Sequence, residues 1–200
     1  YDLSIWVETQ GFEAVPIFGY DAKAAVRQPL GAPVAEGKPA PNVYVDWMFA
    51  AQAAGLGEIG KNGLFLTPEY GPCQRFAMLI SDFEFTPDPI SKPRLCVNCQ
   101  ACIDACPLQA FEPETTTKEG MTGAESDVAK RQESICAQCK NGAIQTNFGR
   151  FNTIDRIAAS CGRACLAALT ERGLVSKFPG GRFRTKPTWA VDLLGREIKA

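Results

Sequence analysis

Between Leu95 and Phe111 the chain reads LCVNCQACIDACPLQAF, with Cys96, Cys99, Cys102 and Cys106 in one short run and Pro107 directly after it. No other stretch limits the fold so strongly, because four thiols at these spacings act as a unit. The 200 residues hold nine cysteines and no histidine. Nine is odd, and most of them sit in short C-x-x-C spacings rather than scattered as a disulfide framework would be. That pattern points to metal held by thiolates in a reducing compartment, and so to a cytoplasmic protein. The missing histidines remove the Ser-His-Asp triad, the histidine-liganded catalytic zinc and the C-x-x-C-H haem attachment.

C-x2-C-x2-C-x3-C-P is the ligand run of bacterial ferredoxins. Three closely spaced thiolates reach three irons of a [4Fe-4S] cube, and the fourth, in two-cluster proteins, ligates the other cube. Adding Cys136, Cys139, Cys161 and Cys165 gives eight thiols, the ligand count of two [4Fe-4S] clusters. Cys96, Cys99 and Cys102 then take a distant fourth ligand, and Cys106 joins three of the later cysteines. Spacing leaves open which later cysteine crosses over; Cys165 is favoured. The rival arrangement is one cube completed by Cys106, with zinc at Cys136, Cys139, Cys161 and Cys165. Cys73 is left over and reads as a small buried apolar residue beside a strand.

The rest of the composition is that of a soluble globular chain: 46% apolar, 22% charged, with a formal net charge of -1. Nothing in it marks the whole chain as a binder of nucleic acid or membrane, and no apolar run reaches the length of a membrane span. The chain opens on Tyr1 rather than Met, so a leader, an upstream domain or a partner subunit is expected to belong with it.

In chain order, YDLSIWVETQGFEAVPIF reads as a helix end, a stop at Gly11 and a strand from Phe12 to Phe18. Residues 19–41, rich in proline and glycine, read as an irregular connection. VYVDWMFAAQAAGLG reads as a buried helix ending near Gly55, followed by a glycine-punctuated turn with one short strand. CQRFAMLISDFEF alternates as a strand. EPETTTKEGMTGAESDVAKRQES is polar and reads as a solvated insertion. NTIDRIAASCGRACLAALTERG is the clearest helix, with Asn152 or Thr153 as cap, Asp155 at its positive end and Gly173 as its stop. Cys161 and Cys165, four apart, share one face of it with Leu169. Arg172, Lys177, Arg182, Arg184, Lys186 and Trp189 make the tail basic. With net charge near zero this reads as a solvated segment strapped across the domain, and a nucleic-acid partner is not expected.

AGLGEIGKNGLFLTPEYGP, together with LISD at 79–82 and the eight cysteines, resembles the corrinoid iron-sulfur reductases: reductive dehalogenases and epoxyqueuosine reductases. The likeness covers residues 43 to about 110 well. It loosens where CAQCKNGAIQ and CGRACLAALTERG stand in place of a second C-x2-C-x3-C-P run. The resemblance implies an α+β protein: a partial α/β, nitroreductase-like layer at 1–90, a ferredoxin-like double-cluster module at 91–172, and a tail at 173–200. It also implies cobalamin as a cofactor, with Gly57, Gly60, Lys61, Asn62 and Gly63 near it, and an electron donor such as ferredoxin or flavodoxin. Taken alone, a helix stop followed by a glycine-rich turn is equally a plain structural turn.

Two departures limit the transfer. The comparable place for the epoxyqueuosine reductases' acidic residue is Pro41, and Asp46 is at the wrong offset, where it reads as a helix N-terminal residue or a surface charge. The dehalogenases' tyrosine proton donor cannot be carried to Tyr1, Tyr20, Tyr44 or Tyr70, so the proton donor stays unassigned. The expectation is an iron-sulfur redox protein passing single electrons through two cubes to a corrinoid for reductive cleavage. The alternative is an electron-transfer subunit without its own substrate, donating to a partner enzyme.

Overall fold

A computed structural model describes residues 1–17, 35–37, 46–90, 94–142, 144–145, 154–155, 159–177, 190–191 and 197–198. The chain divides into two units: residues 1–50 with 75–88, and residues 51–74 with 89–200. Residues 51–74, which carry the glycine-rich turn, therefore group with the cysteine region.

The first unit begins with the helix Asp2–Thr9, which ends where Gly11 takes a left-handed φ of 91° and donates its N–H to Glu8 O at 2.9 Å. The strand Ala14–Ile17 follows and pairs antiparallel with Met78–Ser81, from Ala14 opposite Ser81 to Ile17 opposite Met78. Asp82 closes the ladder by accepting the Glu13 N–H at 2.8 Å. Phe12, Phe83 and Phe85 pack edge to face beside it, with ring centroids 4.6 and 4.7 Å apart. Asp46 caps the helix Trp47–Ala53, its Oδ1 accepting the N–H groups of Met48 and Phe49 at 2.9 and 3.0 Å. Its reading as a helix N-terminal residue holds. The helix itself is not the buried one expected: Ala51 and Gln52 are buried, but Phe49 is 48% exposed.

In the second unit the helix stops as expected at Gly55, φ 74°, whose N–H reaches Gln52 O at 3.0 Å. The glycine-rich stretch that follows holds two short strands rather than one. Glu58–Ile59 pairs antiparallel with Phe65–Leu66. A Cβ on Gly57 would overlap the Leu66 carbonyl, and one on Gly60 would stand 2.9 Å from Leu66 Cδ1, so both glycines let this hairpin close on itself. Gly63 makes its turn at φ 75°.

The expected solvated insertion is instead an antiparallel hairpin, Phe111–Glu119 with Ser126–Arg131, irregular between Glu112 and Thr116. Its threonines favour the extended backbone, and its polar residues face water while Val128 and Ala129 are buried. Two anchors hold it. The Ala129 N–H bonds Lys61 O at 2.8 Å. Buried Gln52 takes the Met121 N–H at 2.8 Å and donates to Ala124 O at 2.6 Å.

The long helix is Ser160–Glu171, later than expected, and Gly173 ends it at φ 65°. Ile154–Asp155 is a strand paired with Ile144–Gln145, so Asp155 does not lie in the helix; Asn152 and Thr153 lie outside the described residues. Leu166, Leu169 and Cys165 of this helix join Leu66, Leu95, Cys102 and Val175 in the core, with Cys96, Ile103, Cys161 and Leu174 packed against it. Residues 19–34, 38–41 and most of the basic tail lie outside the described residues. Among those described, no helix is long and apolar enough to cross a membrane.

Candidate metal centre

All nine cysteines are free thiols. The loop bearing the first three is tight: Asn98 adopts a left-handed φ of 51°, and the single turn Ala101–Asp104 brings Cys102 into the core at 4% exposure. The helix Ser160–Glu171 runs against this turn. It carries Cys161 and Cys165 one turn apart, about 6 Å along its axis.

Burial and neighbouring thiols act together on three of the candidate thiols. Burial pushes Cys102 up to about 12, and the nearby thiols of Cys96, Cys99 and Cys161 add to the rise. Burial also raises Cys165, which stands in the fields of Cys102, Cys96 and Cys99 and then of Cys161. Cys161 is raised by burial, eased by the Gly162 N–H, and pushed again by Cys106, Cys136 and Cys139. Cys165 thus lies in the fields of Cys96, Cys99 and Cys102. Cys161 lies in the fields of Cys106, Cys136 and Cys139, and its own field reaches Cys102 and Cys165. Among the described residues, no three cysteine, aspartate or glutamate side chains stand close enough to grip a single metal ion. Cys73, read as a small buried residue, is exposed.

Two polar side chains, Glu58 and Asn141, and the backbone of Lys61 brace this region. Glu58, in the glycine-rich hairpin, accepts the Cys96 N–H at 2.7 Å and also bonds the Leu95 backbone. Burial raises the Glu58 carboxyl, and these two bonds oppose that rise. Lys61 donates its backbone N–H to Cys96 Sγ at 3.2 Å, and its Nζ reaches Gln100 Oε1 at 3.3 Å. Cys106 Sγ likewise accepts the Ala110 N–H at 3.4 Å. Asn141, two residues after Cys139, caps the helix that bears Cys161: its Oδ1 accepts the N–H and Oγ–H of Ser160 at 2.8 and 2.7 Å. Sequence reasoning missed Glu58 and Asn141. The one signal for Glu58 was a lone carboxylate among glycines and apolar residues.

A cleft of ≈ 860 Å³ opens beside Cys96 and Cys99, walled by Glu58, Lys61, Arg94, Thr116 and Asp127 among others. Of the five residues expected near cobalamin, Lys61 lines this cleft. Gly57 and Gly60 face Leu66, and Gly63 turns toward Val128. Asn62 is buried at 3% exposure, with Oδ1 accepting the Leu64 N–H at 3.0 Å and Nδ2 without a partner among the described residues. Tyr1 and Tyr70 are exposed, and Tyr20 and Tyr44 lie outside the described residues.

Comparison with known proteins follows the same lines. The chain is 45% identical over 74 residues to the tetrachloroethene reductive dehalogenase of Desulfitobacterium hafniense, a stretch covering 34% of this chain and 13% of that protein. It is 43% identical over 62 residues to the epoxyqueuosine reductase of Bacillus subtilis, covering 30% and 16%. The Listeria monocytogenes epoxyqueuosine reductase is 42% identical over 57 residues, covering 28% and 15%. The matched stretch thus spans 13% to 16% of the length of these relatives. Over it, the chain is similar to both kinds of reductase whose resemblance its residues carry. No family model matches the chain, and no solved structure matches it.

Proposed function

We propose that this chain is the two-cube iron-sulfur module of a corrinoid-dependent reductase, of the reductive dehalogenase or epoxyqueuosine reductase type. What supports this most is the eight thiols, four of them in one C-x2-C-x2-C-x3-C-P run, together with the similarity to both kinds of reductase. The set of Cys96, Cys99, Cys102 and Cys165 takes one [4Fe-4S] cube, and the set of Cys106, Cys136, Cys139 and Cys161 takes the other. The fit is good on its chemistry. In a cube each thiolate binds its own iron, so the sulfurs stay farther apart than around one tetrahedral ion. When bound, such cubes take up and release one electron at a time. This chain's residues supply the rest: burial that keeps water from the core-side thiols, N–H donors to sulfur from Lys61 and Ala110, and a helix that spaces the two sites.

For the corrinoid the fit is partial. Lys61 lines a cleft beside the first set, while Gly57 and Gly60 are filled by Leu66. In this reading residues 1–50 with 75–88 belong to a nitroreductase-like layer, and the electron donor is a ferredoxin or flavodoxin. A second reading is an electron-transfer module that serves a partner enzyme. It is favoured by one observation: the glycine-rich stretch has a structural reason of its own in the hairpin with Leu66.

The test is to reduce the anaerobic holoprotein, remove excess reductant and add cobalamin. Retained cobalt and reduction of the corrinoid, followed by its absorbance, are the expected result. Full iron with neither binding nor reduction of cobalamin would leave the second reading in its place.

A further inference from the structure

One peptide group beside the first ligand is held at both ends, by two segments far apart in the chain. The Cys96 N–H is taken by Glu58 Oε1 at 2.7 Å. The carbonyl of the same peptide, Leu95 O, accepts a bond from Arg172 Nη1 at 3.0 Å, across 77 positions of sequence. Arg172 closes the helix Ser160–Glu171, its own N–H bonding Ala168 O at 3.2 Å. Its guanidinium is therefore carried by the helix that bears Cys161 and Cys165. The two grips differ in kind: Glu58 Oε1 accepts, and a guanidinium can do nothing but donate. Turned over, the planar peptide would set its carbonyl against the Glu58 acceptor and its N–H against the Arg172 donors. One orientation satisfies both, and it fixes ψ of Leu95 and φ of Cys96, and so the direction in which the Cys96 side chain leaves the backbone. There Cys96 Sγ meets the Lys61 N–H at 3.2 Å. Leu95 is buried in one core with Cys102 and Cys165, and Cys96 and Cys161 pack against that core. Arg172 is exposed, so its grip reaches in from the surface.

Resting on the two-cube reading, we propose that Arg172 is a positioning residue for the Cys96 thiolate. With Glu58 it locks the Leu95–Cys96 peptide, and it ties the first ligand run to the helix of Cys161 and Cys165. The cysteines are all free thiols, so no disulfide joins these segments. The guanidinium bridge and the shared core set their spacing instead. Arginine suits the task, because its rigid fork meets a carbonyl in a defined direction and keeps its charge at any ordinary pH.

The experiment compares Arg172→Met, a long stem without a donor, with Arg172→Lys, which keeps a cationic donor. Each anaerobic holoprotein is titrated with an iron chelator while iron content and the EPR signals of the reduced cubes are followed. Cys96→Ser identifies the signal of the cube that Cys96 serves. In Arg172→Met that cube should yield at about a tenfold lower chelator concentration than in wild type, and the other cube should keep its curve. Arg172→Lys should recover part of the loss. An Arg172 that merely stabilises the fold predicts a lower melting temperature with the two chelator curves unmoved or moved together, and either result overturns the proposal. An Arg172→Lys protein no firmer than Arg172→Met overturns it too. Should Arg172→Met not fold, Arg172→Gln, shorter and with a neutral donor, is judged by the same two curves. A wild-type count short of two cubes removes the two-cube reading, and this proposal with it; two cubes with unmoved curves remove this proposal alone.

Discussion

Asn141→Ala should loosen one cube before the other. Its Oδ1 accepts two bonds from Ser160, and both residues are buried, at 3% and 2% exposure. Truncation strands the Ser160 N–H and hydroxyl together, each costing about 1–3 kcal/mol when buried without a partner. Some relief comes from rotation of the hydroxyl, so the net loss should be about 2–4 kcal/mol, at or above the usual value of a lost cap. For a chain of this size that lowers Tm by about 5–15 °C. Anaerobic thermal melts of the holoprotein measure it. Because Asn141 sits between Cys139 and the helix bearing Cys161, the EPR signal of that set should fade first on mild heating. Ser160→Ala alone should cost less, and the double variant should lose less than the sum of the two, since they share one interaction. A melt within about 2 °C of wild type at full iron, or losses that simply add, would refute the reasoning.

Other substitutions probe the remaining parts of the site. Cys165→Ser should remove the cube shared with Cys96, and Cys161→Ser the other; if both variants lose the same EPR signal, the sorting is wrong. Gly57→Ala should cost about 3 kcal/mol or more, because its Cβ meets backbone, and Gly60→Ala nearer 1 kcal/mol, because it meets a movable Leu66 methyl. Similar melts for the two would contradict the hairpin packing. In the metal-free fold burial lifts Cys102 from 9.0 to about 12, so its neutral thiol stabilises that fold fully below 9.0 and the contribution is lost as pH rises through about 12. Loading needs the thiolate, so iron uptake at limiting iron should rise between about pH 7 and about pH 9. Uptake independent of pH would count against buried, protonated ligands.

What could be read from sequence was local. The cysteine run is legible because its thiols lie close together in sequence, and the stops at Gly11, Gly55 and Gly173 because a left-handed φ selects glycine. What could not be read depends on partners far along the chain. Glu58 bonds a residue 38 positions on, and Asn141 caps a helix 19 positions later, so the local cap expected at Asn152 or Thr153 had a distant competitor. The glycines at 57 and 60 suggested room for a cofactor, but the closeness they allow is to Leu66. The hairpin 111–131 was hidden by its polarity, since only Val128 and Ala129 of its second strand are buried enough to betray it.

The most direct test of two cubes in this chain is the iron, acid-labile sulfide and zinc content of the anaerobically purified protein. The account predicts about eight irons and about eight sulfides per chain, with no stoichiometric zinc. About four irons with one zinc would contradict it and assign Cys136, Cys139, Cys161 and Cys165 to a different metal.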